Sequence, residues 1–233
     1  MDIDERIEYA AKHTEILRPP KQTLSTFGTT QLYYYLVTEP AYSELVQDAA
    51  EIVIREGRVI TGRPRVVTPY YLSRLEGFSA DARRYFDKLL KMHGGGAPGL
   101  FYTYKNEPKE LSIVSGNLLS VVSKLNDEID KRGDPLASII KGEDELWDVS
   151  LLKFIYEITR NSLQNNLSQL EARGLLGMDS VGIPVDARVR IEELFKQVSK
   201  GEREPNEVKN ELDRWNIFEE YQDRFFTLFK KGR

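Results

Sequence analysis

Apolar positions along the amino-terminal half follow two competing periods, and the switches between them divide the chain into elements. Ile3, Ile7, Ala10 and Ala11 recur at three- and four-residue spacing, which predicts a helix that Pro19-Pro20 stops. β-Branched and aromatic residues dominate positions 23–37, the composition of a strand. Tyr42, Leu45, Ala49, Ile52 and Val53 return to helical spacing and predict a helix closed by Gly57. Residues 58–70 read as a hairpin turning at Thr61-Gly62-Arg63-Pro64. Ser79 is placed to cap a helix with Ala82, Tyr85, Phe86, Leu89 and Leu90 on one face, ending at Gly94-Gly95-Gly96. A second hairpin is predicted to join residues 100–104 to 111–114 through Asn106-Glu107-Pro108.

Beyond Gly116 the strand signal disappears and helical periods with recognisable ends take over. Asn117 can cap a helix carrying Leu118, Val121, Val122, Leu125 and Ile129, which Gly133 closes. Asp134-Pro135 has the form of an N-cap and first helical position, opening a short helix that Gly142 ends. Further helical stretches are 145–159, 162–173, 186–200, 205–215 and 217–230, the last with Asn216 and Glu219 spaced as a capping pair. The pattern predicts an α+β fold. A small antiparallel sheet flanked by helices occupies residues 1–116, and an all-helical region follows over 117–233. No repeat or low-complexity linker separates the two, so they can share one core.

Composition narrows the chemistry. With 233 residues, 40% hydrophobic and 30% charged, the chain can bury a sizeable core. Its net charge of −4 means that any contact with nucleic acid must rest on local side chains and not on bulk attraction. The absence of cysteine excludes disulfides and thiolate chemistry. His13 and His93 alone cannot make a multi-histidine metal site, and neither a cofactor nor a metal is expected. The opening MDIDERIEYA has no basic and apolar leader, and no segment approaches the ~20 apolar residues that a membrane span needs. A cytoplasmic location without a membrane partner is expected.

Residues 160–176, RNSLQNNLSQLEARGLL, carry the strongest functional pattern. As a helix they place Leu163, Leu167 and Leu170 on one stripe and Asn161, Gln164, Asn165, Gln169 and Arg173 away from it. Asn, Gln and Arg pair bidentately with base edges in a major groove. The segment resembles the recognition helix of winged-helix transcriptional regulators, in which a polar start and an inward aliphatic stripe lead into Leu-Glu-x-Arg-Gly-Leu. That resemblance implies that Asn161, Ser162, Gln164, Asn165 and Gln169 face a groove, and that residues 152–159 end the preceding helix of a helix-turn-helix. The chain departs from the pattern in having no glycine turn between the two helices and no alternating basic wing over 178–189.

A basic stretch supplies local positive charge: Arg55, Arg58, Arg63, Arg65 and Arg74 stand against Glu56 alone, with Tyr70 and Tyr71 among them. Arg58, Arg63 and Arg65 are candidate phosphate contacts, though an edge hairpin protected by outward charge has the same pattern. Tyrosines gather at 33, 34, 35, 102 and 104. Alternation puts Tyr33 with Tyr35 and Tyr102 with Tyr104 on common faces, suited to base stacking or to cross-strand packing.

Other patterns carry less. His93-Gly94-Gly95-Gly96 and Gly77-Phe78-Ser79-Ala80-Asp81 echo esterase loops, but their order is reversed and no histidine follows to act as base. Glu143, Asp144, Glu145 and Asp148 crowd a helix start, where carboxylates favour the backbone dipole as readily as a metal ion. Trp215, Phe218, Tyr221, Phe225, Phe226 and Phe229 form an aromatic stripe that docks on the protein's own core or on a partner, with Trp215, Phe218, Tyr221, Phe225 and Phe229 as candidate interface residues. The reading is of a non-enzymatic, regulatory binding protein with no catalytic residues, contacting nucleic acid through residues 162–173. The alternatives are a homo-oligomer or protein-interaction component assembling through the aromatic helix, and a metal-dependent enzyme.

Overall fold

The computed structural model describes residues 3–40, 51–74, 87, 90–92 and 94–230. Its strands are β1 (Glu15–Arg18), β2 (Thr30–Thr38), β3 (Glu51–Thr61), β4 (Arg65–Val67), β5 (Gly99–Phe101), β6 (Tyr104–Ser115) and β7 (Ala137–Lys141). The helices are α1 (Ile3–His13), α2 (Pro69–Ser73), α3 (Leu118–Arg132), α4 (Trp147–Ala172), α5 (Val185–Ser199), α6 (Pro205–Trp215) and α7 (Phe218–Lys230). The fold is α+β, with helices dominating the carboxy-terminal half. The chain forms two compact units, Met1–Arg63 with Tyr102–Asn166 and Pro64–Phe101 with Leu167–Arg233. The composition shift near residue 116 falls inside the first of them.

The first unit is built on a five-stranded sheet of order β1-β7-β2-β3-β6. β2, β3 and β6 form an antiparallel meander, and the chain then crosses through α3 to lay β7 parallel to β2. One face presents Tyr35, Val37, Ile52, Ile54 and Ile139 to Val121, Leu125 and Ile129 of α3. The other presents Leu32, Tyr34, Leu36, Val59 and Ile140 to Leu151, Phe154, Ile155 and Ile158 of α4. Strands covered on both faces lose their alternation and become continuous apolar runs.

That loss accounts for the largest differences from the sequence reading. Residues 51–57 belong to β3 and not to a helix, while 42–50 lie outside the described residues. Gly57 sits mid-strand, where a side chain would run into the Tyr34 phenol and the Glu107 carbonyl. The expected helix after Asp134-Pro135 is instead β7; Asp134 accepts a bond from Leu136 N (2.9 Å), a turn that launches the strand. α1 ends at Thr14, whose hydroxyl donates to Ala10 O (2.7 Å), and Glu15–Arg18 pairs with β7 before the prolines are reached.

Neither predicted hairpin forms. β3 and β4 enter different sheets, and Asn106-Glu107-Pro108 lies within β6, whose edge position tolerates a proline. The helix expected from Ser79 falls almost entirely outside the described residues.

α3 matches its prediction because both ends carry local signals. Asn117 Oδ1 accepts from Ser120 N (2.9 Å), and Gly133 closes the helix at φ 65°. α4 is a single 26-residue helix across the expected break at 160–161. Its buried residues include Ile155, Ile158, Ser162, Asn166 and Leu170, whereas Leu163 of the predicted stripe is 38% exposed and Leu167 half-buried.

In the second unit, β4 and β5 pair, and Val66 N donates to the buried Asp186 carboxylate (3.0 Å). α5, α6 and α7 enclose Tyr71, Ile191, Phe195, Leu212, Trp215 and Phe225. Within this core Glu211 accepts from Trp215 Nε1 (3.1 Å) and the Tyr71 hydroxyl (3.3 Å) and pairs with Arg190, so its buried charge is compensated. Asn216, expected to open the last helix, instead closes α6 in the left-handed conformation at φ 56°. No helix among the described residues is long and apolar enough to cross a membrane.

Candidate functional site

α3 ends at Gly133 while the sheet beneath it continues, and the uncovered end is a cleft of about 690 Å³ within the first unit. Its floor is strand: Tyr33 and Tyr35 on β2, Glu56 and Arg58 on β3, Glu107 on β6. Arg132 and Asp134 overhang it from the end of α3. Register puts these strand side chains on one face, since Tyr33 lies opposite Arg58, Arg58 opposite Glu107, and Tyr35 opposite Glu56.

A β-bulge adds the last charged group. The β3–β6 register passes from Glu56–Glu110 to Gly57–Pro108, leaving Lys109 without an opposite residue. Its ammonium lies 3.9 Å from the Glu56 carboxylate, with the side chain 71% exposed. Arg58 is held more firmly, donating through Nε to Glu107 (2.7 Å) and through Nη1 to Gln31 (3.0 Å). Hydrogen bonds from Lys105 and Arg58 keep the Glu107 carboxyl below its ordinary range. Arg132 Nη1 donates to the Tyr35 hydroxyl (2.7 Å), whose own ionisation burial pushes up. Beneath the floor, Tyr34 donates to Asn106 Oδ1 (3.0 Å) across the space that Gly57 leaves open.

Of the residues predicted for nucleic acid, Asn161, Gln164, Asn165, Gln169 and Arg173 are exposed. Ser162 is not: it is fully buried, donating to Ile158 O (2.6 Å) and accepting from Leu24 N (2.9 Å). Asn166, its neighbour one turn on, donates to Leu24 O (3.2 Å) when its amide nitrogen faces that carbonyl. Together they clamp the main chain of Leu24. Arg58 lies on the α3 face of the sheet and α4 covers the opposite face, so Arg58 and the part of α4 in this unit do not form one surface. The Arg63 guanidinium stands 5.9 Å over the Phe27 ring, and Arg65 is half-buried on β4 of the second unit.

The tyrosine pairs separate in the same way. Tyr33 and Tyr35 reach the cleft, with Tyr33 39% exposed. The rings of Tyr102 and Tyr104 stack 6.4 Å apart, and Tyr104 shares a hydrogen bond with Thr159 of α4. Burial, then the adjacent Tyr104, pushes the Tyr102 hydroxyl up to about 12.

Three members of the acidic cluster have partners within the first unit. Asp144 pairs with Arg55 (2.8 Å) and accepts from Thr38 (2.7 Å), Glu145 pairs with Arg6, and Asp148 accepts from Val149 N. No group of three or more potential metal ligands occurs among the described residues. His93 and the Gly77–Asp81 segment lie outside them.

On the aromatic stripe, Trp215 and Phe225 are buried in the second unit's own core and Phe218 and Tyr221 half-buried, whereas Phe226 is 48% and Phe229 57% exposed. The charged members of the cleft other than Arg58 escaped sequence reasoning. Their only local signal was the alternation of charge through Lys105, Glu107 and Lys109. Compared with known proteins, the chain matches no family model, no curated sequence and no solved structure.

Proposed function

We propose that this is a non-enzymatic, regulatory binding protein that contacts nucleic acid through the amide-rich side of α4. One observation carries the reading. Asn161 and Asn165 follow at a four-residue interval along one ridge of α4, with Gln164 beside them; Gln169 and Arg173 follow at the same interval in the sequence, and all are exposed. Amides and a guanidinium are the side chains that pair with base edges when a helix lies in a major groove. An unbroken helix replaces the helix-turn-helix, and buried Ser162 anchors the ridge while its neighbours make the contact.

Because the chain is acidic, base-edge contacts must contribute much of the affinity, and few phosphate contacts give a shallow salt dependence. A gel-shift titration at two salt concentrations is expected to show a complex weakened by salt. Asn165→Ala combined with Arg173→Ala is expected to weaken it further. No shift at micromolar protein and low salt would remove the reading. A cytoplasmic location belongs to the same proposal and is tested by cell fractionation.

A second reading, assembly through α7, draws on the exposure of Phe226 and Phe229 beside buried Phe225. Light scattering is expected to show an oligomer that Phe226→Ser with Phe229→Ser dissociates. A monomer at high concentration counts against it.

A further inference from the structure

We infer that the cleft at the end of α3 binds a nucleotide, with Tyr33 stacking on the base and Lys109 and Arg132 contacting the phosphate. The inference stands on different residues from the α4 ridge and on the opposite face of the first unit's sheet. At about 690 Å³ the cleft is within the range of cavities that hold small ligands.

The lining then selects the ligand's chemistry. Glu56, Glu107 and Asp134 stand against Arg58, Lys109 and Arg132, three charges of each sign. An apolar molecule would remove these six groups from water without replacing their hydrogen bonds. A bare anion would face three carboxylates. A nucleotide meets both signs: its hydroxyls and exocyclic amines donate to carboxylates, and its phosphate accepts from cations. The partly exposed Tyr33 ring supplies a flat surface for the planar base.

The restraint on each group assigns its role. Arg58 and Glu107 satisfy one another at 2.7 Å and make a fixed wall. Lys109 is held only at 3.9 Å from Glu56 on an exposed bulge, so its ammonium can turn to a phosphate at small cost. Arg132 donates through one nitrogen to Tyr35 and lies 3.5 Å from Glu128 through the other, on a side chain 58% exposed. These two contacts do not exhaust a guanidinium, which carries five N–H groups. Asp134, in the turn just beyond α3, is the carboxylate placed to receive a sugar hydroxyl.

The test is a thermal melt of the full chain with millimolar AMP, ATP, inorganic phosphate or a short single-stranded oligonucleotide. A ligand bound only by the folded state raises the midpoint. The expected result is a rise with AMP and ATP and none with inorganic phosphate. A rise with the oligonucleotide but not with AMP or ATP would assign the cleft to a strand of nucleic acid and overturn the mononucleotide assignment. Lys109→Ala with Arg132→Ala is expected to weaken binding about tenfold or more, as is Tyr33→Ala. Each variant is compared with its own unliganded midpoint, since Tyr33 is partly buried and Arg132 donates to the buried Tyr35 hydroxyl, and Lys109→Ala alone, at a side chain 71% exposed, is expected to weaken binding with the unliganded midpoint near that of the parent. Asn165→Ala with Arg173→Ala should leave nucleotide binding unchanged, which separates failure here from failure of the α4 reading. No midpoint rise with any nucleotide, or an equal rise with inorganic phosphate, overturns the inference.

Discussion

The two faces of the five-stranded sheet are covered by helices of unequal length, and the difference separates packing from binding. On one face the 26-residue α4 packs over Leu32, Tyr34, Leu36 and Val59, and its Ser162 and Asn166 hold the Leu24 backbone. On the other the 15-residue α3 stops at Gly133, and beyond it the strands present charge and tyrosine where apolar residues stood. One strand shows the transition directly: on the α3 face β3 runs Ile52, Ile54, Glu56, Arg58. The chain changes from core to cleft within four residues, where the covering helix ends.

Substitutions can test how different the faces are. The largest effect is expected from Phe154→Ala, which empties a fully buried site on the α4 face and should cost about 3–5 kcal/mol in a urea titration. A cost below about 1 kcal/mol would mean that α4 is not the principal cover. Ser162→Ala is smaller: it leaves the Leu24 N–H buried without its acceptor and should cost about 1–2 kcal/mol. No loss would show that the clamp adds nothing to α4 docking.

The smallest effect has the opposite sign. The Tyr102 hydroxyl is buried without a hydrogen-bond partner among the described residues, so Tyr102→Phe should stabilise by up to about 1 kcal/mol. Its folded-state value of about 12 lies above the ordinary 10.0, so the neutral form is favoured by folding. That contribution is complete below pH 10 and is lost as pH rises through about 12. Tyr102→Phe should flatten stability over that window, and the late-ionising tyrosinate absorbance of the parent, to which Tyr34, Tyr35 and Tyr104 also contribute, should lose one tyrosine in the variant.

The same comparison shows what could be read from sequence. α3 and α6 match their expected spans because Asn117, Gly133 and Pro205 act on their own neighbours, with no tertiary partner required. β3 and β7 differ from their expected helices because strands between two helical layers carry no alternation, and Ser138-Ile139-Ile140 alone does not distinguish strand from helix. On α4 the exposed amides were legible as polar residues off a leucine stripe. The inward register was not, because Ser162 and Asn166 are buried for the sake of Leu24, far away in sequence. The cleft was legible only through Tyr33, Tyr35 and Arg58. Glu56, Glu107, Lys109, Arg132 and Asp134 converge through a bulge and a helix end, both products of the folded sheet.

The parallel placement of β7 has a consequence for how the chain comes off the ribosome. Among the described residues β1 pairs with β7 alone, so the earliest strand of this sheet waits for its latest, through the making of the meander and α3. Until Lys141 emerges, the open side of β2 remains a bare edge able to pair with another nascent copy. Closure of such distant segments is slow, and a pause in translation before residue 137 would prolong the interval in which the growing polypeptide is exposed to aggregation.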